Sequence, residues 1–142
     1  MNFRVPRWST NRGAWVVGLM ACIFTTVGCQ EEEAPSFAAD VQPLLDESCL
    51  CHMENSDGVM FAETLTLNAG VAFGELVGTA STQAPDMLRV APGDPEASYM
   101  WRKLQGTHID AGGSGTAMPP IGPLSSEKLD TIETWILEGA TP

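Results

Sequence analysis

Ser36-Phe-Ala-Ala-Asp-Val-Gln-Pro-Leu-Leu-Asp-Glu-Ser48 leads without a break into Cys49-Leu50-Cys51-His52. Phe37, Val41, Leu44 and Leu45 recur at helical spacing, and Ser36 stands where an N-cap belongs, so a helix is predicted over 36–48. Pro43 removes one backbone hydrogen bond inside it and should bend it. The segment after Ser48 has a different character: two thiols separated by one residue, then an imidazole. Cysteines this close cannot staple distant parts of a chain, so their use is chemical.

The other two cysteines belong to the N-terminus. Arg4, Arg7 and Arg12 precede an apolar run from Ala14 to Phe24, which closes on Thr26-Val27-Gly28-Cys29. A basic start, an apolar run too short to span a bilayer and a small residue at its end describe an export signal over residues 1–28. Cys22 lies inside it. The junction resembles a bacterial lipoprotein box, which implies that Cys29 is lipidated and becomes the first mature residue. Ordinary signal cleavage and an uncleaved anchor helix are the competing readings. Gln30, in place of the Asp that retains such lipoproteins at the inner membrane, favours the outer membrane or cell surface.

Residues 29–35 then form a short acidic tether with Glu31, Glu32 and Glu33 as a solvated spacer, and one domain fills 36–142. All 18 acidic residues follow Gly28, but only four of the seven basic ones do (Arg89, Arg102, Lys103, Lys128), giving the mature chain a net charge of −14. Such a surface excludes nucleic acid and repels anionic headgroups. Membrane attachment would come through the lipid alone, and soluble partners should present basic docking surfaces.

Further along, Asn68–Val77 reads as a weaker helix that carries Gly70 and Gly74, each costing about 1 kcal/mol in a helix interior. Asp94-Pro95-Glu96 marks a helix start, followed by Ala97, Met100, Trp101 and Leu104 at helical spacing and a stop at Gly106. A last helix opens at Ser125 and carries Leu129, Ile132, Trp135 and Ile136 up to Gly139. Thr64 to Leu67 could make a short extended piece. The predicted class is all-α, three to four short helices joined by long loops. So small a core often needs a metal, a disulfide or another insert, and a large apolar group at the centre would explain the loop lengths.

The thiol segment suggests which group. Cys-x-x-Cys-His marks covalent c-type haem attachment: two thiols add to the two porphyrin vinyls and the adjacent imidazole ligates iron. On a helix, positions i and i+3 lie about 60° apart, so both sulfurs face one edge. Cys49-Leu50-Cys51-His52 is one residue short. Aligning Cys51-His52 with the end of the motif puts Ser48 at the first cysteine position; Cys49 then sits about 200° around the helix from Cys51, so both sulfurs cannot reach the vinyls without local distortion. Cys51 is therefore expected to form the dependable thioether and His52 to be the proximal ligand, with Cys49 in doubt. Cys49, Cys51, His52 and His108 are also ligands that zinc accepts, although Cys-x-Cys-His in one tetrahedron is crowded.

Taken together, the pieces resemble small bacterial cytochrome c domains, in particular the planctomycete-type group and related lipoprotein cytochromes. Phe37–Leu45 with Cys49–His52 resembles that group's first helix and haem motif. Ala91-Pro-Gly-Asp-Pro95 with Ser98-Tyr99 and Lys103-Leu104 resembles its middle helix. Met118-Pro119-Pro120, Leu124-Ser125 and Ile132–Ala140 resemble its distal loop and final helix. The resemblance implies a cytochrome c fold with crossing first and last helices around haem, His52 and Met118 as axial ligands, and single-electron transfer rather than enzymatic catalysis. A thioether opposite histidine suits that role. Met53, Met60, Met87 and Met100 are weaker candidates for the sixth position. His108 is expected at the surface, with distal ligation or a propionate contact as alternatives. Arg89, Arg102 and Lys103 are the cations placed to meet propionates, surface positions being the alternative. Trp101 and Trp135 should pack against haem or helices. The competing functional readings are a haem-free module retaining the cytochrome fold for binding or assembly, the zinc domain, and a catalytic redox subunit, although no catalytic acid–base or nucleophile cluster is evident.

Overall fold

Residues 33–53 and 65–142 are described by the structure, a computed structural model. The export signal, Cys29, most of the tether, Met60 and Thr64 lie outside the described residues. Within them the chain is all-α, with isolated bridges but no strands.

The stretch that opens the domain is helical in two registers. Ser36 caps it, its Oγ accepting from Ala39 N at 3.2 Å, while Asp40 accepts from Ser36 N at 2.8 Å. A π-helical turn, Phe37–Val41, runs directly into helix α1, Gln42–Ser48. The Val41 and Gln42 amides reach back five residues, to Ser36 and Phe37. This wide turn places Pro43 in the first turn of α1, where a missing N–H leaves no gap. The proline therefore marks a change of register. α1 ends at Ser48, Cys49 leaves the helical conformation, and Leu50–His52 forms a single 3₁₀ turn.

Helix α2, Ala72–Leu76, is shorter than the 68–77 expected. Gly70 adopts a left-handed φ of 88°, so Asn68 closes a turn before the helix, accepting from Val71 N and Ala72 N. Helix α3, Tyr99–Gln105, starts after the expected Asp94. Asp94 caps only a turn, accepting from Ala97 N at 3.0 Å. Ser98 turns its hydroxyl back onto Ala91 and Asp94. The amides of Tyr99 and Met100 are taken by the Leu88 and Arg89 carbonyls. A neighbouring backbone segment thus satisfies the exposed donors of the first turn, and the helix begins there. Gly106, at φ 74°, ends α3 as predicted. Helix α4, Ser126–Leu137, follows its predicted cap Ser125.

The first and last elements pack together. Phe37 lies 5.4 Å from Trp135, ring to ring, and its N–H donates to Thr141 O, which also accepts from the Trp135 indole. Lys128, near the start of α4, pairs with Glu47 at 2.8 Å and reaches Ser48 Oγ. Val41, Leu45, Leu76, Val90, Ile132, Trp135 and Ile136 are buried with them. Each such aliphatic side chain contributes about 1.5–3 kcal/mol by leaving water. Trp101 and Trp135 belong to this core, which fixes α1 and α4 beneath a cavity.

Candidate cofactor-binding site

The cavity has a volume of about 390 Å³, within the roughly 300–1,000 Å³ of pockets that enclose small-molecule ligands. Its wall brings together Cys49, Cys51, His52 and Met118, residues from both ends of the domain. Leu44, Leu67, Leu76, Met100, Leu104 and Ile132 make much of the rest apolar, and Arg89 and Lys103 also border it.

His52 is held from behind. Its Nδ1 lies 3.2 Å from the Leu65 carbonyl, its own carbonyl accepts from Leu67 N at 2.9 Å, and Leu67 O accepts from the buried Gln42 side chain at 2.9 Å. Residues 65–67 are thereby bracketed between α1 and the 3₁₀ turn. With Nδ1 donating to Leu65, the imidazole lone pair resides on Nε2, the tautomer a metal ligand needs. Burial pushes the His52 pKa down; the Leu65 carbonyl opposes this and the Lys103 charge adds to it. The ring is thus kept neutral.

The two thiols differ. Burial first, then the neighbouring Cys51, push the Cys49 thiol up to about 11, with Lys128 acting in the opposite direction. Cys51 is exposed. The helical-wheel separation expected for Cys49 and Cys51 presupposes a continuous helix. Because α1 stops at Ser48, the chain redirects and both residues border the cavity.

Met118 sits where α3 and its following loop meet. Its N–H donates to the Lys103 carbonyl at 3.0 Å. Of the other methionines considered, Met53 is buried in the core, Met87 is not on the cavity wall, and Met100 is. His108 is not a surface residue: it is buried, with Nε2 3.0 Å from the Gly115 carbonyl. Since Nε2 is engaged there and His108 is not on the cavity wall, the four-ligand zinc arrangement is not assembled. Among the described residues no three His, Cys, Asp or Glu side chains converge as a metal-binding group. Of the cations expected near the middle helix, Arg102 pairs with Glu96 away from the cavity, and Arg89 pairs with Glu75 at 2.7 Å while bordering it.

Sequence reasoning missed the backbone partners of His52, because a carbonyl carries no residue signature. It also missed the grip on residues 114–116 by Tyr99, Lys103 and His108. The signal there was Ala111-Gly-Gly-Ser-Gly115 beside three long polar side chains. No protein-family model, curated protein or solved structure matches the chain.

The donor set suits haem: two thiols, a neutral imidazole and a thioether, all on one largely apolar wall. Cys51 would supply a thioether, and His52 and Met118 the nitrogen and sulfur ligands.

Proposed function

We propose that this chain is an exported c-type cytochrome of the cytochrome c fold, anchored by lipid at Cys29, that carries one haem and transfers single electrons. The observation that carries the proposal is the meeting of Cys51, His52 and Met118 on the wall of one apolar cavity. Met118 comes from a segment far in sequence from the adjacent Cys51 and His52, and core packing does not require those three side chains. Bound haem would supply a reversible one-electron iron centre, whose potential a methionine ligand in addition to histidine would raise.

The chain's own residues have separate tasks. His52 is kept neutral by burial and oriented by Leu65. Leu44, Leu67, Leu76 and Ile132 line the cavity and would keep water from the bound group, which favours a small change in solvation between oxidation states. Cys51 would hold the group covalently, with Cys49 as a secondary thiol on the same cavity wall. His52 and Met118 would both hold the iron, an arrangement that suits a carrier rather than a catalyst. The acidic mature surface favours redox partners with basic docking patches.

Expression with a c-type haem maturation apparatus, followed by denaturation, tests this reading. Haem should remain with the polypeptide through denaturation. Colour that is extractable or absent contradicts it and favours a haem-free module of the same fold.

A further inference from the structure

Lys103 is an unusual residue for a cavity wall. It is only 8% exposed and makes no ion pair among the described residues. A buried ammonium is costly unless its donors are satisfied, and a methionine or leucine would cover the same wall without that cost. The contacts of its Nζ account for it. Nζ donates to the Ser114 carbonyl and to the Thr116 carbonyl, each at 2.8 Å, and lies 5.8 Å from the centre of the Tyr99 ring. The carbonyl between these two, Gly115 O, meets the His108 ring at 3.0 Å. Tyr99 closes the same loop, its hydroxyl accepting from Ser114 N at 3.2 Å and lying 3.3 Å from Ser114 O. Three successive carbonyls of an exposed loop are thus held by three buried side chains.

The loop's composition follows from this grip. Gly115 has φ +78°, and a Cβ there would come within 3.3 Å of Nζ. Gly113 passes so close to Tyr99 that a Cβ would collide with the ring, and it would stand 2.8 Å from His108 O. Two residues beyond the clasp, Met118 N donates to the main-chain carbonyl of Lys103 itself. One residue therefore holds the loop by its side chain and the methionine by its backbone.

We propose that Lys103 is the positioning residue for Met118: its ammonium, with His108 and Tyr99, fixes the 114–116 carbonyls and so sets where the methionine sulfur meets the cavity. The proposal rests on the reading of Met118 as an iron ligand, and the test separates the two. Three variants are compared with the parent: Lys103→Met, Lys103→Arg and Met118→Ala. In the unloaded chain, amide hydrogen exchange at Met118 should speed up roughly ten- to hundred-fold in Lys103→Met, as expected for lost charge-assisted hydrogen bonds. Protection in α4 should be unchanged, and Lys103→Arg should recover part of the loss. In the haem-loaded protein, Lys103→Met should weaken the methionine-to-iron absorption signature and lower the potential towards that of Met118→Ala, with covalent haem content unchanged.

Unchanged exchange at Met118 in a folded Lys103→Met chain overturns the proposal. So does a full methionine signature in loaded Lys103→Met when Met118→Ala has lost it, an outcome that leaves the cytochrome reading standing. If Met118→Ala keeps the parent spectrum, the ligand assignment fails and with it the proposal that Lys103 positions a ligand. If Lys103→Met loses α4 protection, Gly115→Ala replaces it, since that change crowds Nζ and strains the loop while leaving the lysine in place. Unaltered Met118 exchange in that variant counts against the clasp.

Discussion

Replacing Cys51 by serine isolates Cys49, whose reactivity can be worked out from its surroundings. Its thiol is pushed from an ordinary 9.0 to about 11, chiefly by burial, a cause that survives the substitution. At pH 8 an unperturbed thiol is about one-tenth ionised, while one at about 11 is ionised roughly one part in a thousand. A more basic thiolate is also the better nucleophile: with a Brønsted slope of about 0.4–0.5, two units return close to a factor of ten. Serine at 51 also removes the smaller contribution of the Cys51 charge, so the net expectation is alkylation slower in the folded chain than in the unfolded one by up to about ten-fold, before any steric shielding. The assay is iodoacetamide labelling of unloaded Cys51→Ser at pH 8, with and without urea, read by mass on the peptide containing residue 49. In Cys49→Ser, the exposed Cys51 should label at nearly the same rate in both conditions. Equal folded and unfolded rates for Cys49 would refute the view that packing against the core partly buries this thiol and leaves Cys51 as the accessible one.

Three further outcomes arise from the site and the fold around it. The His52 pKa is lowered by folding from its ordinary 6.5, so below that pH the unfolded chain binds the extra proton. Its contribution to stability is present above about pH 6.5 and is lost as pH falls through the lower folded value. The urea midpoint of the unloaded chain should therefore drop between pH 7.5 and 5 more steeply than that of His52→Gln, and parallel curves would contradict this. Gly113→Ala should destabilise by about 1–3 kcal/mol through overpacking against Tyr99. Gly74→Ala meets nothing within 4 Å in the short helix α2, so it should stabilise by about 0.8–1 kcal/mol. Urea denaturation of the pair checks both signs.

Much of the fold was legible wherever a local rule coincided with the tertiary outcome. Ser36 and Ser125 cap as expected, Gly106 ends α3, and Ile132, Trp135 and Ile136 form the buried stripe of α4. The misplaced start of α3 has an identifiable cause. Asp94-Pro95-Glu96 has the local features of a helix start, but the Leu88 and Arg89 carbonyls satisfy the Tyr99 and Met100 amides, a non-local contact no window of sequence contains. The helical-wheel angle between Cys49 and Cys51 applies to an unbroken helix, whereas α1 stops at Ser48 and a 3₁₀ turn follows. His108 illustrates a different limit. A lone histidine in a Gly-rich loop carries no sign of burial until the loop folds over it and Gly115 O meets its ring.

The central claim is that Cys51 carries haem in front of His52, and one measurement bears on it most directly. The mature protein, produced with the haem maturation apparatus, is digested and the peptide spanning Cys49 to His52 is weighed, for the parent, Cys49→Ala and Cys51→Ala. One covalent haem should be found on that peptide in the parent and in Cys49→Ala, and none in Cys51→Ala. No adduct on the parent peptide, or an adduct that survives loss of Cys51 and disappears with Cys49, would contradict the account.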